Sequence, residues 1–544
     1  TYGIYAEGRT VTIGEDEGGQ PSITSPEIIG GNYGIYSGNY NFYDGVIKGG
    51  IDPYQTVDMI SAIADGTTVV YDTDIIDDET YQTSYLIPEY DCVKIGSTKY
   101  KHLNRAIAAA ETGDTIELIA DNYIFENIII PADKDITIET AGYNIVTSHP
   151  FTNNGKTKII NSNTTSTPVF NYRGSQYYFT NTADAELELK NINVKSANGI
   201  SNASTLKLTN VSIESTGTSL LNSGSATFDG VTLTSSDVAI SNTGTIQSNA
   251  NDNSTITSTN YAIYTSGGTI TLSNTTLASS NPLYHNSATT TTITSSTLTN
   301  NVTNNGGSIT IIDSTVSKTG TNLKNFIVNN DEMTFRNTNI SFNSSNTNYE
   351  YYDTSSTAIV NRGKLTFDST DFELNFSAGL TKTVYAIDNG SSELNITGSN
   401  ITTKLTDVTS DSNTQYGIYN NAGIVNFYSG SLIMARNTSY GIYNETGEIT
   451  IGQAESSSDP DYGLPTANVS ITNPNIRAIG SSTGIGVKNG TGRVNFYDGI
   501  ITGSTHPMPD MPDIPTKTEY HFEARLQTDG DGYQSVILKY IQSN

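Results

Sequence analysis

Apolar and polar residues alternate along most of this chain in runs of only four or five residues. In Thr205-Leu206-Lys207-Leu208 the leucines fall on one side, the threonine and lysine on the other. That period of two predicts short β-strands. Asn, Ser and Gly, which suit tight turns, separate the runs. The units repeat: NGISNASTLKLTNVSI (198–213), SLLNSGSATFDGVTL (219–233), VAISNTGTIQSN (238–249), YAIYTSGGTITLSNTTL (261–277), PLYHNSATTTTITSSTL (282–298), AIVNRGKLTFDSTDFEL (358–374), YGIYNNAGIVNFYSGSLI (416–433) and YGIYNETGEITI (440–451). Each reads as strand, turn, strand, turn, strand. Anchoring asparagines stand at Asn202, Asn222, Asn242, Asn286 and Asn305, with counterparts at Asn361, Asn420 and Asn444. A spacing of about 20 residues, or a multiple of it, is a solenoid repeat.

A unit of three such strands cannot hide its Ile, Leu, Val and Phe, nor pair its own backbone. Stacking the next unit on it solves both problems at about 4.8 Å per coil. The fold expected is therefore all-β, a parallel β-helix. The anchoring asparagines are expected at turns that need a left-handed backbone, with side chains able to hydrogen-bond from coil to coil. An antiparallel sandwich also uses short strands but lacks this self-similarity.

A second, longer repeat sets the domain organisation. TYGIY (1–5) matches SYGIYN (439–444), VTIGEDEGG (11–19) matches ITIGQAESS (449–457), YNFYDGVIKGG (40–50) matches VNFYDGIITGS (494–504), and TYQTSYL (80–86) matches GYQSVIL (532–538). Four matches in one order imply a tandem array, with this chain a window on a longer polypeptide. Residues 1–50 are expected to be the last coils of one β-helix and 51–88 a β-hairpin junction. Residues 89–503 are then a complete β-helix and 504–544 a second junction, entered through the Pro-rich HPMPDMPDIPTK (506–517).

Composition narrows the function. The net charge is −28, from 27 Lys plus Arg against 55 Asp plus Glu, so nucleic acid and anionic lipid would be repelled. Charged residues are only 15% of the chain, and 34 Tyr argue against disorder. One cysteine, Cys92, excludes an internal disulfide. No apolar run reaches membrane-spanning length.

VKIGSTKYKHLNRAIAAAETGDTIELIADNYIFENIIIPADKDITI (93–138) resembles the leading module of pectin-lyase-like, right-handed parallel β-helices, whose first coil is covered by a short amphipathic helix. Here that helix is expected from Tyr100 to about Ala110, with Leu103, Ala106, Ile107 and Ala110 on its inner side. The GIYN and NFYDG motifs resemble adhesin-like surface β-helix proteins of Gram-positive bacteria. The resemblance implies an extracellular, cell-surface location and neighbouring copies of the same domain as partners, with glycans or surface proteins as further ones.

Many pectin-lyase-like members are enzymes, but their catalytic motifs are missing here. The histidines (His102, His149, His285, His506 and His521) are scattered. Asp44, Asp229, Asp368 and Asp498 recur with the coil, as turn residues do. Asp72, Asp74, Asp77 and Asp78, and Asp529-Gly530-Asp531-Gly532, match no calcium-loop pattern. No catalytic residue, metal ligand or cofactor is therefore assigned. The recurring YGIY motif places Tyr33, Tyr36, Tyr416, Tyr419, Tyr440 and Tyr443 where they would form an aromatic ladder along the stack, or a platform for sugars. About 17 to 20 coils would give a rod of roughly 80–95 Å per domain. The function expected is a non-catalytic filament or adhesin stalk serving surface display, adhesion or self-assembly. The alternative is a polysaccharide-binding or polysaccharide-degrading β-helix, with SSSDPDYGLP (456–465) and NTNYEYYDTSS (346–356) as groove loops.

Overall fold

The computed structural model describes residues 2–540 except 15–25, 44, 56–59, 64–66, 77–78, 89, 125–126, 148, 250–251, 321–323, 345–355, 377–382, 406–413, 436–437, 453–473, 481, 510–521 and 529. The chain divides into two compact units, Thr1–Ser258 and Thr259–Asn544.

The first unit opens with short parallel stacks. Tyr2–Tyr5 pairs with Tyr33–Tyr36, which pairs with Asp52–Tyr54; Thr10–Ile13 pairs with Asn39–Phe42; Glu27–Gly30 pairs with Val46–Gly49. Tyr40, Phe42 and Tyr54 are wholly buried among them. This stack is closed by a β-hairpin, Thr67–Ile76 with Glu79–Pro88. Its second strand lies antiparallel on Val46–Gly49, which leaves that strand no free edge.

A second stack follows. Val93–Ile95 and Thr98–Tyr100 form a small hairpin laid antiparallel on the strand Thr115–Leu118. The helix Leu103–Ala109 buries Leu103, Ala106 and Ile107. It is shorter than its apolar spacing suggested, because His102 is already extended backbone at its N-cap and Ala110 at its C-cap. From there three parallel faces rise together. Face A runs from Thr115–Leu118 to Thr245–Ser248, face B from Asn122–Ile124 to Thr255–Ser258, and face C from Ile128–Ile130 to Val238–Asn242. This is a parallel β-helix. Alternation fixes which side chains enter: in Thr205–Thr209, Leu206 and Leu208 are buried while Thr205 and Lys207 are exposed. Stacked columns carry the core, as in Leu187, Leu206, Ala226 and Ile246. A small residue in one column is matched by a large one beside it, Ala226 by Phe228.

The second unit repeats the three faces. Face A runs from Thr269–Ser273 to Arg493–Phe496, face B from Thr276–Ala278 to Ile500–Gly503, and face C from Tyr261–Thr265 to Thr483–Asn489. It too is closed by a hairpin, Phe522–Thr528 with Gln534–Tyr540, whose second strand lies antiparallel on Ile500–Gly503. The register is the same at both closures: Gln82 faces Gly49 and Tyr85 faces Val46, as Gln534 faces Gly503 and Ile537 faces Ile500. Ahead of each hairpin the chain also makes one more parallel pairing, in the first stack with the strand Tyr33–Tyr36 and in the second unit with the last strand of face C. Tyr54 pairs with Ile35, and His506 bridges Ile485.

Candidate functional site

Two side-chain arrays run along face C, one inside and one outside. The inner array is a tape of asparagines at the last position of most face C strands; Ile130, Thr265 and His285 stand there in three others. In the first unit Asn153, Asn181, Asn202, Asn222 and Asn242 are all buried. Each Nδ2 donates to the Oδ1 of the next, at 2.8 Å in every step. In the second unit the tape runs Asn304, Asn329, Asn361, Asn389, Asn420, Asn444 and Asn489, at 2.7 to 3.1 Å. Most of these amides also serve their own turn. Asn202 donates to the Ser204 carbonyl at 3.0 Å and accepts from its N–H at 3.3 Å. An asparagine has two donors and two acceptor sites, and this position uses both kinds within the protein.

Of the asparagines singled out from the sequence, Asn202, Asn222, Asn242, Asn361, Asn420 and Asn444 lie in the tape. Asn286 and Asn305 do not. The tape positions there are His285 and Asn304, which are paired in register. Asn305 points outward and donates to the Tyr284 hydroxyl at 3.0 Å. The left-handed backbone expected of these anchors belongs to another column, at Asn191, Asn210, Asn274 and Asn337. The tape asparagines close extended strands instead, and their side chains point inward because the strand period sends them there. Asn153, Asn181, Asn304, Asn329, Asn389 and Asn489 escaped the sequence reading because the step varies from 20 residues (Asn202 to Asn222) to 45 (Asn444 to Asn489).

At the tape position of its coil His285 is wholly buried, with Nε2 2.8 Å from the Thr291 hydroxyl. Burial pushes its imidazole down to about 4, with a backbone hydrogen bond at Gly306 opposing. It is therefore neutral at pH 7.

The outer array is tyrosine. Tyr385, Tyr416 and Tyr440 stack in one column, ring centroids 5.0 Å apart and planes within 11°. Tyr419 and Tyr443 form a second column at 5.7 Å, and the columns meet edge to face. Lys488 ends both, 5.5 Å over the Tyr440 ring and 5.3 Å over that of Tyr443. Tyr33 and Tyr36 form a similar group with Tyr2 and Tyr5 in the first unit. Burial first, then the neighbouring tyrosines and Glu445, push Tyr416 up to about 12. Tyr419 donates to Glu445, and that bond is the main cause of its own raised value. Tyr385 was missed because its motif reads VYAIDN, with Asp388 in the place of the second tyrosine.

The glycine of YGIY follows from crowding. A Cβ on Gly417 would lie 2.6 Å from the Gly441 carbonyl oxygen and 2.9 Å from Leu432 Cδ1. Only the smallest side chains fit this column, as with Ala386 beside Gly417. Both faces of the Tyr416 ring are covered by tyrosines, so the ladder turns ring edges and hydroxyls outward.

The remaining candidates lie apart. Asp368 pairs with Arg336 at 3.2 Å, and Asp531 pairs with Arg477. Asp498 is buried, which raises its carboxyl, and accepts from the Gly499 N–H at 2.7 Å. His102 is the helix N-cap and His506 belongs to the face C bridge. Asp44, Asp77, Asp78, Asp529 and His521, the side chains of Asp72 and Asp74, and the two proposed groove loops except Ser356 fall outside the described residues. Among the described residues no three His, Cys, Asp or Glu side chains are grouped to hold a metal, and no helix is long and apolar enough to cross a membrane. No protein-family model matches the chain, and no curated protein does so either.

Proposed function

We propose that this chain is part of an extracellular structural stalk built of tandem parallel β-helices, non-catalytic and displayed at a cell surface. Adhesion, display or self-assembly would be its task, with other copies of the same domain as its neighbours. The observation that carries this reading is the shared register of the two closing hairpins, Gln82 on Gly49 and Gln534 on Gly503. A closure used twice in one chain is a module of an array, and an array of stacks is a spacer. The two side-chain arrays on face C add to it, since both spend their hydrogen-bonding groups and ring faces on the neighbouring coil.

The pectin-lyase-like and adhesin-like resemblance of residues 93–138 and of the GIYN and NFYDG motifs agrees with this reading. Electron microscopy of the purified chain tests it. Slender particles lengthening by about 4.8 Å per coil are expected. Compact globules would refute it, as would release of sugar from pectate or neutral glycans by the purified chain.

A further inference from the structure

Charged residues make up 15% of this chain, yet from Asn253 to Ile312 there is no Asp, Glu, Lys or Arg. A stretch of that length would ordinarily hold several. The only histidine within it, His285, is buried, and burial keeps it uncharged. In the second unit these residues build successive coils whose outer surface is made of Thr, Ser, Asn and Tyr.

Face A of these coils is a regular lattice. Thr269, Thr290 and Ser308 stand in register in one column, Thr271, Thr292 and Thr310 in the next. Thr269, Thr271 and Thr290 are exposed, and Thr292, Ser308 and Thr310 are half-buried by their neighbours. Coils repeat at about 4.8 Å and alternate residues of a strand at about 6.6 Å, so the hydroxyls form a flat grid with a methyl beside nearly every one. On face C of the same coils Tyr264 and Tyr284 stack at 5.6 Å.

We propose that this charge-free belt is a binding face for an uncharged, hydroxyl-rich polysaccharide. A sugar polymer presents hydroxyls among C–H groups, and each threonine offers the same pair of contacts. The grid is flat, which suits an extended polymer or a polysaccharide surface better than a small molecule, whose sites are concave. A ligand without charge gains nothing from ion pairing and would have to strip water from any ion it covered. The belt offers it a long surface free of that cost. The remainder, with a net charge of −28, repels anionic polymers. The inference is independent of the stalk reading, which stands or falls on particle shape.

The test is retention of the whole chain on microcrystalline cellulose, chitin particles and insoluble starch, with calcium-free polygalacturonate gel as the anionic control. Retention on at least one uncharged matrix is expected, little changed between about 0.05 and 1 M salt, because screening does not touch contacts without charge. The variant T290K/T292K should lower retention at least tenfold. Thr397→Lys, exposed in the same unit but outside the belt, should leave it within twofold. Circular dichroism of each variant reports the fold, and T290S/T292S, which keeps the hydroxyls, should retain most binding. No retention on any uncharged matrix overturns the proposal, as does equal retention of T290K/T292K or stronger retention on the anionic gel.

Discussion

Asn304 and Asn305 are adjacent, chemically identical and placed on opposite sides of the coil wall. Asn304 is wholly buried. It donates to Asn329 Oδ1 at 3.1 Å, to the Gly307 carbonyl at 3.1 Å and to the Glu332 carbonyl at 2.9 Å, and accepts from the Gly306 N–H at 3.2 Å. Alanine there removes all four bonds and leaves buried groups without partners. At about 1 kcal/mol per bond, less what a shared donor counts twice, the local cost is about 3 kcal/mol. Asn305 donates to Tyr284 Oη and accepts from Asn330 at 2.9 Å, but it is exposed, so water replaces both bonds and its alanine variant should cost under about 0.5 kcal/mol. A global melting curve would blur the contrast, because a stacked fold opens locally. Native-state hydrogen exchange at the amides of Val302–Asn304 and Ile327–Asn329 reads it directly. About 3 kcal/mol corresponds to exchange faster by roughly a hundredfold in Asn304→Ala. If Asn304→Ala and Asn305→Ala exchange alike, the tape does not stabilise the stack and the reasoning fails.

Further outcomes follow from neighbouring features. Gly417→Val should destabilise its coil by about 2 kcal/mol or more through overpacking against Gly441 and Leu432, seen as lost protection in Thr414–Asn420; unchanged protection would contradict the crowding argument. His285 has a folded value of about 4 against 6.5 unfolded, so the unfolded chain binds the extra proton. Stability near His285 is thus full above pH 6.5 and falls by up to about 3 kcal/mol as the pH drops toward 4. His285→Asn should flatten that dependence, checked by exchange at pH 4 and 7. Val536→Pro removes a donor from the hairpin strand laid on Ile501 and should free the edge of Ile500–Gly503, giving concentration-dependent association in sedimentation; a monomer at all concentrations would refute the capping role.

The period of two in TLKLT was enough to name the strands and their inner leucines, because a stack leaves each strand one inside and one outside. The hairpin closures were legible for the same reason that they recur: TYQTSYL and GYQSVIL resemble one another and meet equivalent partners. The asparagines were harder. Asn304 and Asn305 look alike in sequence, and only the end of the strand decides which enters the wall. The charge-free run was visible in the sequence from the start, but its threonines became a lattice only once Thr271, Thr292 and Thr310 were seen in one column. Tyr385 was hidden by a motif that keeps one tyrosine and changes the other.

The amide tape also bears on how such a chain changes over generations. Within each run of the tape an interior asparagine receives from one side and gives to the other in the same sense, so the two cut surfaces of a coil excised from within a run would still match. A whole coil gained or lost by duplication or deletion leaves no orphaned amide behind. Reach can then vary by single increments between lineages without any need to redesign either end.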